Sequence, residues 1–160
     1  MLLRPAREGD IPALMAMLTD PEVAPWWGDY DADRLRADLD HPGSQMLAVE
    51  VRGEVIGLLE ITEEEEPDYR HAALDISLRS DHHGQGLGHE TLRVAIDHLI
   101  DAHGHHRFTI DPAAENERAI RCYAAVGFRP VGIMRRYERA PDGRWRDALL
   151  MDLLAEEYRA

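Results

Sequence analysis

Two stretches of the chain concentrate residues that can do chemistry. The first is His83-Gly84-Gln85-Gly86-Leu87-Gly88, between an apolar run ending at Leu78 and a segment with helical spacing. Glycines let backbone N–H groups approach an anion closely, and the positive end of a helix macrodipole adds to the attraction. Such a turn either cradles a phosphate or merely makes a tight corner. It is neither G-x-G-x-x-G nor the lysine-containing phosphate loop, so dinucleotide and NTP binding lose their fingerprint. The second stretch runs from Asp111 to Phe128. On a helix, Asn116, Ile120 and Tyr123 share a face, with Asn116 and Tyr123 ~10 Å apart along the axis. That span suits an extended cofactor arm, bound by an amide at one end and met by a phenolic proton donor at the other. The same pattern arises when the Asn only caps the helix and the Tyr only fills the core.

The surrounding elements decide whether these stretches can meet. Met1 to Arg4 reads as a strand, and Asp10 can cap a helix over Ile11 to Leu18 with Pro12 tolerated in its first turn. A short helix follows over Asp31 to Leu39, then a hairpin of Met46 to Val51 and Val55 to Thr62 around Arg52-Gly53. Ala72 to Leu78 alternates as a strand, with Leu74, Ile76 and Leu78 on one face and Asp75 and Ser77 on the other. Leu87 to about Asp101 carries an apolar stripe at helical spacing, and Arg107 to Ile110 is a short strand. Asn116 opens a helix to about Ala125, closed by Gly127. Val131 to Tyr137 and Trp145 to Leu154 form a last hairpin around Pro141-Asp142-Gly143. The expected order is β-α-α-β-β-β-α-β-α-β-β, an α/β fold with a mixed sheet and one central crossover. No linker or repeat divides the chain, so residues 1–160 read as a single domain.

Composition narrows the function. The 160 residues carry a formal net charge of −13 at pH 7, with 31 acidic side chains against 18 basic ones. Every basic side chain is an arginine. That field repels a phosphate backbone and attracts cations, so nucleic acid is not an expected partner and a cationic small molecule is. Simple solubility also accounts for an acidic balance. No apolar run approaches the ~20 residues of a membrane span. The opening MLLRPAREGD holds no apolar signal segment and Cys122 has no cysteine to pair with, which together predict the cytoplasm. The nine histidines, including His82-His83 and His103, His105 and His106, show no zinc-site spacing with Cys or carboxylates, and no metal is expected.

In this order and strand context, the two stretches resemble the acetyl-coenzyme A site of the GNAT acyltransferase superfamily. Its pyrophosphate loop reads Q/R-x-x-G-x-G/A, and His83 to Gly88 matches with His in place of Gln or Arg. The resemblance covers nearly the whole chain. Trp26-Trp27-Gly28 and the segment from Thr109 to Phe128 are most similar to aminoglycoside 6′-N-acetyltransferases. The tail around Gly143-Arg144-Trp145-Arg146-Asp147 is more similar to acetyltransferases of ribosomal proteins.

The resemblance implies a GNAT fold and direct acetyl transfer from acetyl-coenzyme A to a primary amine. An amine with pKa near ~10 must lose a proton before it attacks, and the departing thiolate gains one. By similarity Tyr123 is the acid for the thiolate and Asp75 the base, although Asp75 also fits a surface carboxylate. Backbone N–H groups of Ile76, Ser77 and Leu78 would hold the acetyl carbonyl and pantetheine arm, and those of His83, Gly84, Gln85, Gly86, Leu87 and Gly88 the pyrophosphate. Asn116 would hold the arm from the other side. A polyamine acceptor needs several carboxylates, since an ammonium left unpaired on desolvation is costly. Candidates are Asp29, Glu60, Asp75, Asp111 and Asp142, with the run Glu63 to Glu66, while Trp26 could wall a sugar ring. Trp26 as core, Asp142 as a turn former and the Glu run as a solvated loop remain open. The expected acceptor is an aminoglycoside 6′-amine and the expected assembly a monomer or homodimer. A protein N-terminus, a polyamine or a siderophore precursor is the alternative acceptor, and a non-catalytic acetyl-coenzyme A sensor the alternative class.

Overall fold

The computed structural model describes residues 1–160. Its strands are β1 (Leu2–Pro5), β2 (Gln45–Val51), β3 (Glu54–Glu64), β4 (His71–Leu78), β5 (Arg107–Ile110), β6 (Arg129–Arg139) and β7 (Trp145–Leu154). The helices are α1 (Ile11–Leu18), α2 (Ala24–Trp27), α3 (Ala32–Leu39), α4 (Leu87–His103), α5 (Glu117–Val126) and α6 (Ala155–Tyr158). One sheet holds all seven strands in the order β1-β2-β3-β4-β5-β7-β6. Every neighbouring pair is antiparallel except β4 and β5, which the α4 crossover joins in parallel.

Both faces of the sheet are covered. Leu59 and Ile61 of β3 and Leu74 of β4 pack with Leu92, Ala95, Ile96 and Leu99 of α4, and with Tyr123 and Val126 of α5. On the opposite face, Leu58 and Met46 meet Ile11, Leu14, Met17 and Leu18 of α1 and Leu35 of α3. A strand buried on both faces needs an unbroken apolar run, which Ile56 to Leu59 supplies. That run must also include a glycine. A Cβ on Gly57 would sit 2.3 Å from Leu78 Cδ2 and 2.7 Å from the Ser77 carbonyl oxygen, so only glycine lets β3 lie this close under β4.

The expected order holds, with two short helices added. The one-turn α2 begins with a proline in its first turn and ends at Gly28, whose φ of +88° stops it. A single turn shows no apolar periodicity, which is why spacing along the sequence passes over it. The terminal turn α6 is equally brief. Strand β6 runs past the expected Val131 to Tyr137 at both ends, with Pro130 tolerated because the strand is a sheet edge. Strand β3 continues to Glu64, so Glu63 belongs to the sheet, which removes it from the solvated loop left open as the alternative for the Glu63 to Glu66 run. No helix is long and apolar enough to cross a membrane.

Candidate active site

The site arises where two strands part. β4 and β5 pair only through Ala72 with Phe108 and Ala73 with Thr109, after which they diverge. A pocket of about 390 Å³ opens in the gap. Residues Asp75 to Leu78 of β4 form one wall, and the cap residue Asn116 with Ala119, Cys122 and Tyr123 of α5 the other. The loop from His82 to Gly88 closes one end, while Asp111 to Ala113, Glu138 of β6 and the Val23, Trp26 and Trp27 region close the other.

The loop end is built for an anion. Gly84 (φ +74°) and Gly86 (φ +79°) turn their backbones through the left-handed region, and nothing lies within 4 Å of where a Cβ would project. The open space beside them adjoins the N-terminus of the 17-residue α4, whose unpaired N–H groups favour negative charge. His83 replaces the expected Gln or Arg, and its ring is held at both nitrogens. Nε2 lies 2.8 Å from the Leu78 carbonyl oxygen, and Arg118 Nη1 donates to Nδ1 at 2.7 Å. Arginine can only donate, so the ring's proton sits on Nε2. Arg118 thereby brings a guanidinium to the pocket edge. It lies two residues beyond the helix cap, and the Asn116 to Tyr123 face did not include it.

The other end gathers carboxylates. Asp75 is an exposed residue that faces the pocket, and the protein atoms crowded around its carboxyl group desolvate it. Burial, then the charges of Asp111 and Glu60, push its pKa up to about 7, against an opposing hydrogen bond from the Ile76 N–H. Asp111 is also raised, mainly by burial, although the Tyr137 hydroxyl donates to its Oδ2 at 3.0 Å. Glu138 accepts from Arg146 Nε at 2.7 Å. A break in the pairing of β6 with β7 between Met134 and Glu138 turns Tyr137 and Glu138 toward the site, with Arg136 at φ +49° inside the bulge. Nothing in the sequence marks such a bulge, so spacing along the chain does not single out Glu138. Arg146 also donates to the Pro25 carbonyl oxygen at 2.6 Å and lies 5.5 Å from the Trp26 ring centroid, clasping α2 against the hairpin.

Tyr123 is buried, and desolvation together with the Asp75 charge lifts its pKa well above the ordinary tyrosine value. A phenol held protonated in this way is a donor at every physiological pH. Burial likewise raises Cys122, which keeps it a thiol and no nucleophile. Asn116 caps α5 by accepting from the Ala119 N–H at 3.2 Å, and it also lines the pocket.

Thirteen residues singled out from the sequence line this one cavity: Trp26, Asp75, Ile76, Ser77, Leu78, His83, Gly84, Gly86, Leu87, Gly88, Asp111, Asn116 and Tyr123. Others lie outside it. The Gln85 side chain turns back to donate to the Asp81 carbonyl oxygen at 2.9 Å. Asp29 is exposed, and its carbonyl oxygen accepts from Arg34 Nη1 at 2.6 Å. Asp142 binds its own turn through Arg144, with Nε to Oδ2 at 2.7 Å. Glu60 stands opposite Asp75 in the β3–β4 register and acts on the site through its charge, without lining the cavity. Glu63 points away from the site, to His103 and His105.

Comparison with known proteins places this geometry. Residues 1–129 match the acetyltransferase (GNAT) domain family. Spermidine N(1)-acetyltransferase of Escherichia coli K12 is 25% identical over 165 residues, covering 99% of this chain and 88% of that protein. Aminoglycoside N(6′)-acetyltransferase type 1 of Klebsiella pneumoniae is 29% identical over 160 residues, covering 88% of this chain and 78% of that protein. Among solved structures, Mycobacterium smegmatis RimJ in complex with CoA-disulfide superposes with a TM-score of 0.86 at 30% identity, covering 99% of this chain and 83% of that one.

Proposed function

We propose, for a chain that belongs to the GNAT acetyltransferase family, that residues 1–160 act as one domain moving an acetyl group from acetyl-coenzyme A to a primary amine of a polycationic small molecule. The observation that carries this reading is the convergence of Asp75, Asp111 and Glu138 opposite Tyr123 in one cavity. The acetyl-transfer activity itself is that of the family. The acceptor chemistry is read from the carboxylates.

The loop from His83 to Gly88 would take the pyrophosphate through its N–H groups, with Arg118 at its edge. The edge of β4 beyond Ala73, freed where β5 departs, would pair with the pantetheine arm from one side and Asn116 from the other. This brings the thioester between Asp75 and Tyr123. An ammonium entering the acidic end exchanges its water shell for carboxylates. Ionised Asp75 takes one of its protons, directly or through water, and the freed lone pair attacks the thioester carbonyl carbon. The tetrahedral adduct collapses with cleavage of the C–S bond, Tyr123 gives its hydroxyl proton to the departing sulfur, and the amide and free thiol leave. The second proton lost from the nitrogen restores the Tyr123 hydroxyl, and the proton held by Asp75 passes to solvent, so one proton is released per turnover. No acyl-enzyme forms, because the only thiol in the cavity, Cys122, is kept protonated.

Within this acceptor class, an aminoglycoside 6′-amine is the preferred substrate and a linear polyamine the next. The apolar faces of Trp26 and Trp27 beside the carboxylates suit a sugar ring as well as a methylene chain. A second reading, a peptide α-amine, is favoured by the resemblance of the tail around Gly143-Arg144-Trp145-Arg146-Asp147 to acetyltransferases of ribosomal proteins. Coenzyme A thiol release with kanamycin-type aminoglycosides, spermidine and an alanine-terminated peptide separates them. Turnover with aminoglycosides or spermidine and none with the peptide is expected. Peptide turnover alone would overturn the polycation reading, and absence of turnover with any amine would favour a sensor of acetyl-coenzyme A.

A further inference from the structure

A second group of chemistry-bearing side chains lies outside the transfer pocket. Glu63, near the end of β3, points to the sheet face that α4 covers. His103 is the last residue of α4, and His105 follows Gly104, whose φ of +68° reverses the chain. His103 Nδ1 lies 2.8 Å and His105 Nε2 2.6 Å from the same carboxylate oxygen, Glu63 Oε2. The three candidate ligand atoms all lie within 4.8 Å of one another. His105 is fully buried, and its Nδ1 has no hydrogen-bond partner. His103 and Glu63 keep 33% and 20% side-chain exposure, so water reaches the cluster from one side.

We propose that Glu63, His103 and His105 bind a single divalent transition-metal ion of the Zn²⁺ type, stapling the C-terminal end of α4 to β3.

Two imidazoles and one carboxylate, with a water in the fourth position, form a donor set that zinc accepts, whereas Ca²⁺ and Mg²⁺ require oxygen ligands. Ligand atoms ~2.1 Å from a tetrahedral ion stand roughly 3.4 Å apart, so the two short contacts need only sub-ångström outward movement of side-chain tips. Each imidazole now directs an N–H at Glu63 Oε2. On coordination that nitrogen loses its proton, which relocates to the far nitrogen, Nε2 of His103 and Nδ1 of His105, and gives its lone pair to the ion. The charge environment is mixed. Arg70 donates to the His103 carbonyl oxygen, while Glu64, Glu65 and Glu66 follow Glu63 directly, in a chain of net charge −13. The local balance thus favours a cation. The His98 ring stacks edge-on against His103 at 5.3 Å between centroids and limits the ways that ligand can swing. Sequence spacing alone hides the site, because Glu63 comes from 40 residues upstream of the His103-Gly104-His105 pair.

Calorimetric titration of chelator-treated full-length protein with Zn²⁺ tests the assignment. One ion per chain is expected, with Co²⁺ at the same site giving the intense visible absorption of four-coordinate geometry. Glu63→Gln and His103→Gln should each weaken binding about tenfold or more. Both should leave coenzyme A thiol release by the metal-free protein unchanged, which shows that the variants are folded. His82→Asn combined with His89→Asn, at the pyrophosphate loop, should leave Zn²⁺ affinity unchanged. Failure of the unsubstituted protein to bind Zn²⁺ stoichiometrically would overturn the proposal and leave the cluster a hydrogen-bonded buttress. Full-affinity binding in the Glu63→Gln, His103→Gln double variant would overturn it equally.

Discussion

Replacement of Asp75 by Asn removes the base while keeping the size and hydrogen-bonding shape of the side chain. With its pKa near 7 in the free protein, Asp75 is about half ionised at neutral pH and about one tenth ionised one unit below. If the enzyme binds the ammonium and Asp75 removes its proton, kcat/KM for the amine should fall about tenfold per pH unit below ~7 and level off above it. Once the cationic acceptor is bound, its charge stabilises the carboxylate, so the corresponding inflection in kcat should lie at lower pH. Asp75→Asn should lose roughly 10²-fold in kcat/KM at neutral pH, the lower end of the range for a positioned general base. Its residual rate should climb through neutrality toward the amine's own pKa, because only free amine can then react. After burial, Asp111 is the largest influence holding the Asp75 pKa up, so Asp111→Asn should shift the wild-type inflection to lower pH. Thiol release followed spectrophotometrically between about pH 5.5 and 9 measures all of these profiles. An inflection near 7 that survives in Asp75→Asn, or a rate within a few-fold of the original, would refute the assignment of Asp75 as base.

Tyr123→Phe should lower kcat about 10²-fold with KM for acetyl-coenzyme A changed only a few-fold, and an unchanged kcat would remove the phenol from the reaction. Asp75 also links the site to stability. Its folded pKa lies above the unfolded value of 3.8, so ionising it destabilises the fold progressively as pH rises from about 4 through 7. Relative to the original protein, Asp75→Asn should therefore gain more in Tm at pH 8 than at pH 4, and an equal Tm difference at both would contradict the environment described. Gly57→Ala should cost about 1–3 kcal/mol in denaturant unfolding, because its Cβ meets the Ser77 carbonyl and Leu78 with no free space, and a neutral effect would show that β3 and β4 can part there. Arg146→Met should free α2 and Glu138 together, raising KM for the amine more than for acetyl-coenzyme A.

Much of this architecture is legible along the chain because it depends on local physics. Helix α1 over Ile11–Leu18 and strand β7 over Trp145–Leu154 coincide with their expected limits, since an apolar period is a property of neighbouring residues; Asp10, however, does not cap α1, because its carboxylate accepts instead from Arg4 and from the Arg7 N–H. The loop from His83 to Gly88 and the Asn116 to Tyr123 face are equally local, and both appear on the walls of one cavity. Identifying these stretches requires only residue types and spacing of a few positions.

The acceptor end is different, because carboxylates distant in sequence compete for the same role and only packing selects among them. The bulge in β6 brings Glu138 in, while Asp142 is taken up by its own turn and Glu63 by two histidines. Periodicity reports which face of an element a residue occupies, not what stands opposite. The sequence by itself therefore determined the order of elements, the glycine turn and the net charge of −13. The divergence of β4 from β5 after two paired residues decided where the cavity opens, and with it which carboxylates raise the pKa of Asp75. Those are distances across the sheet, and long-range contacts set them.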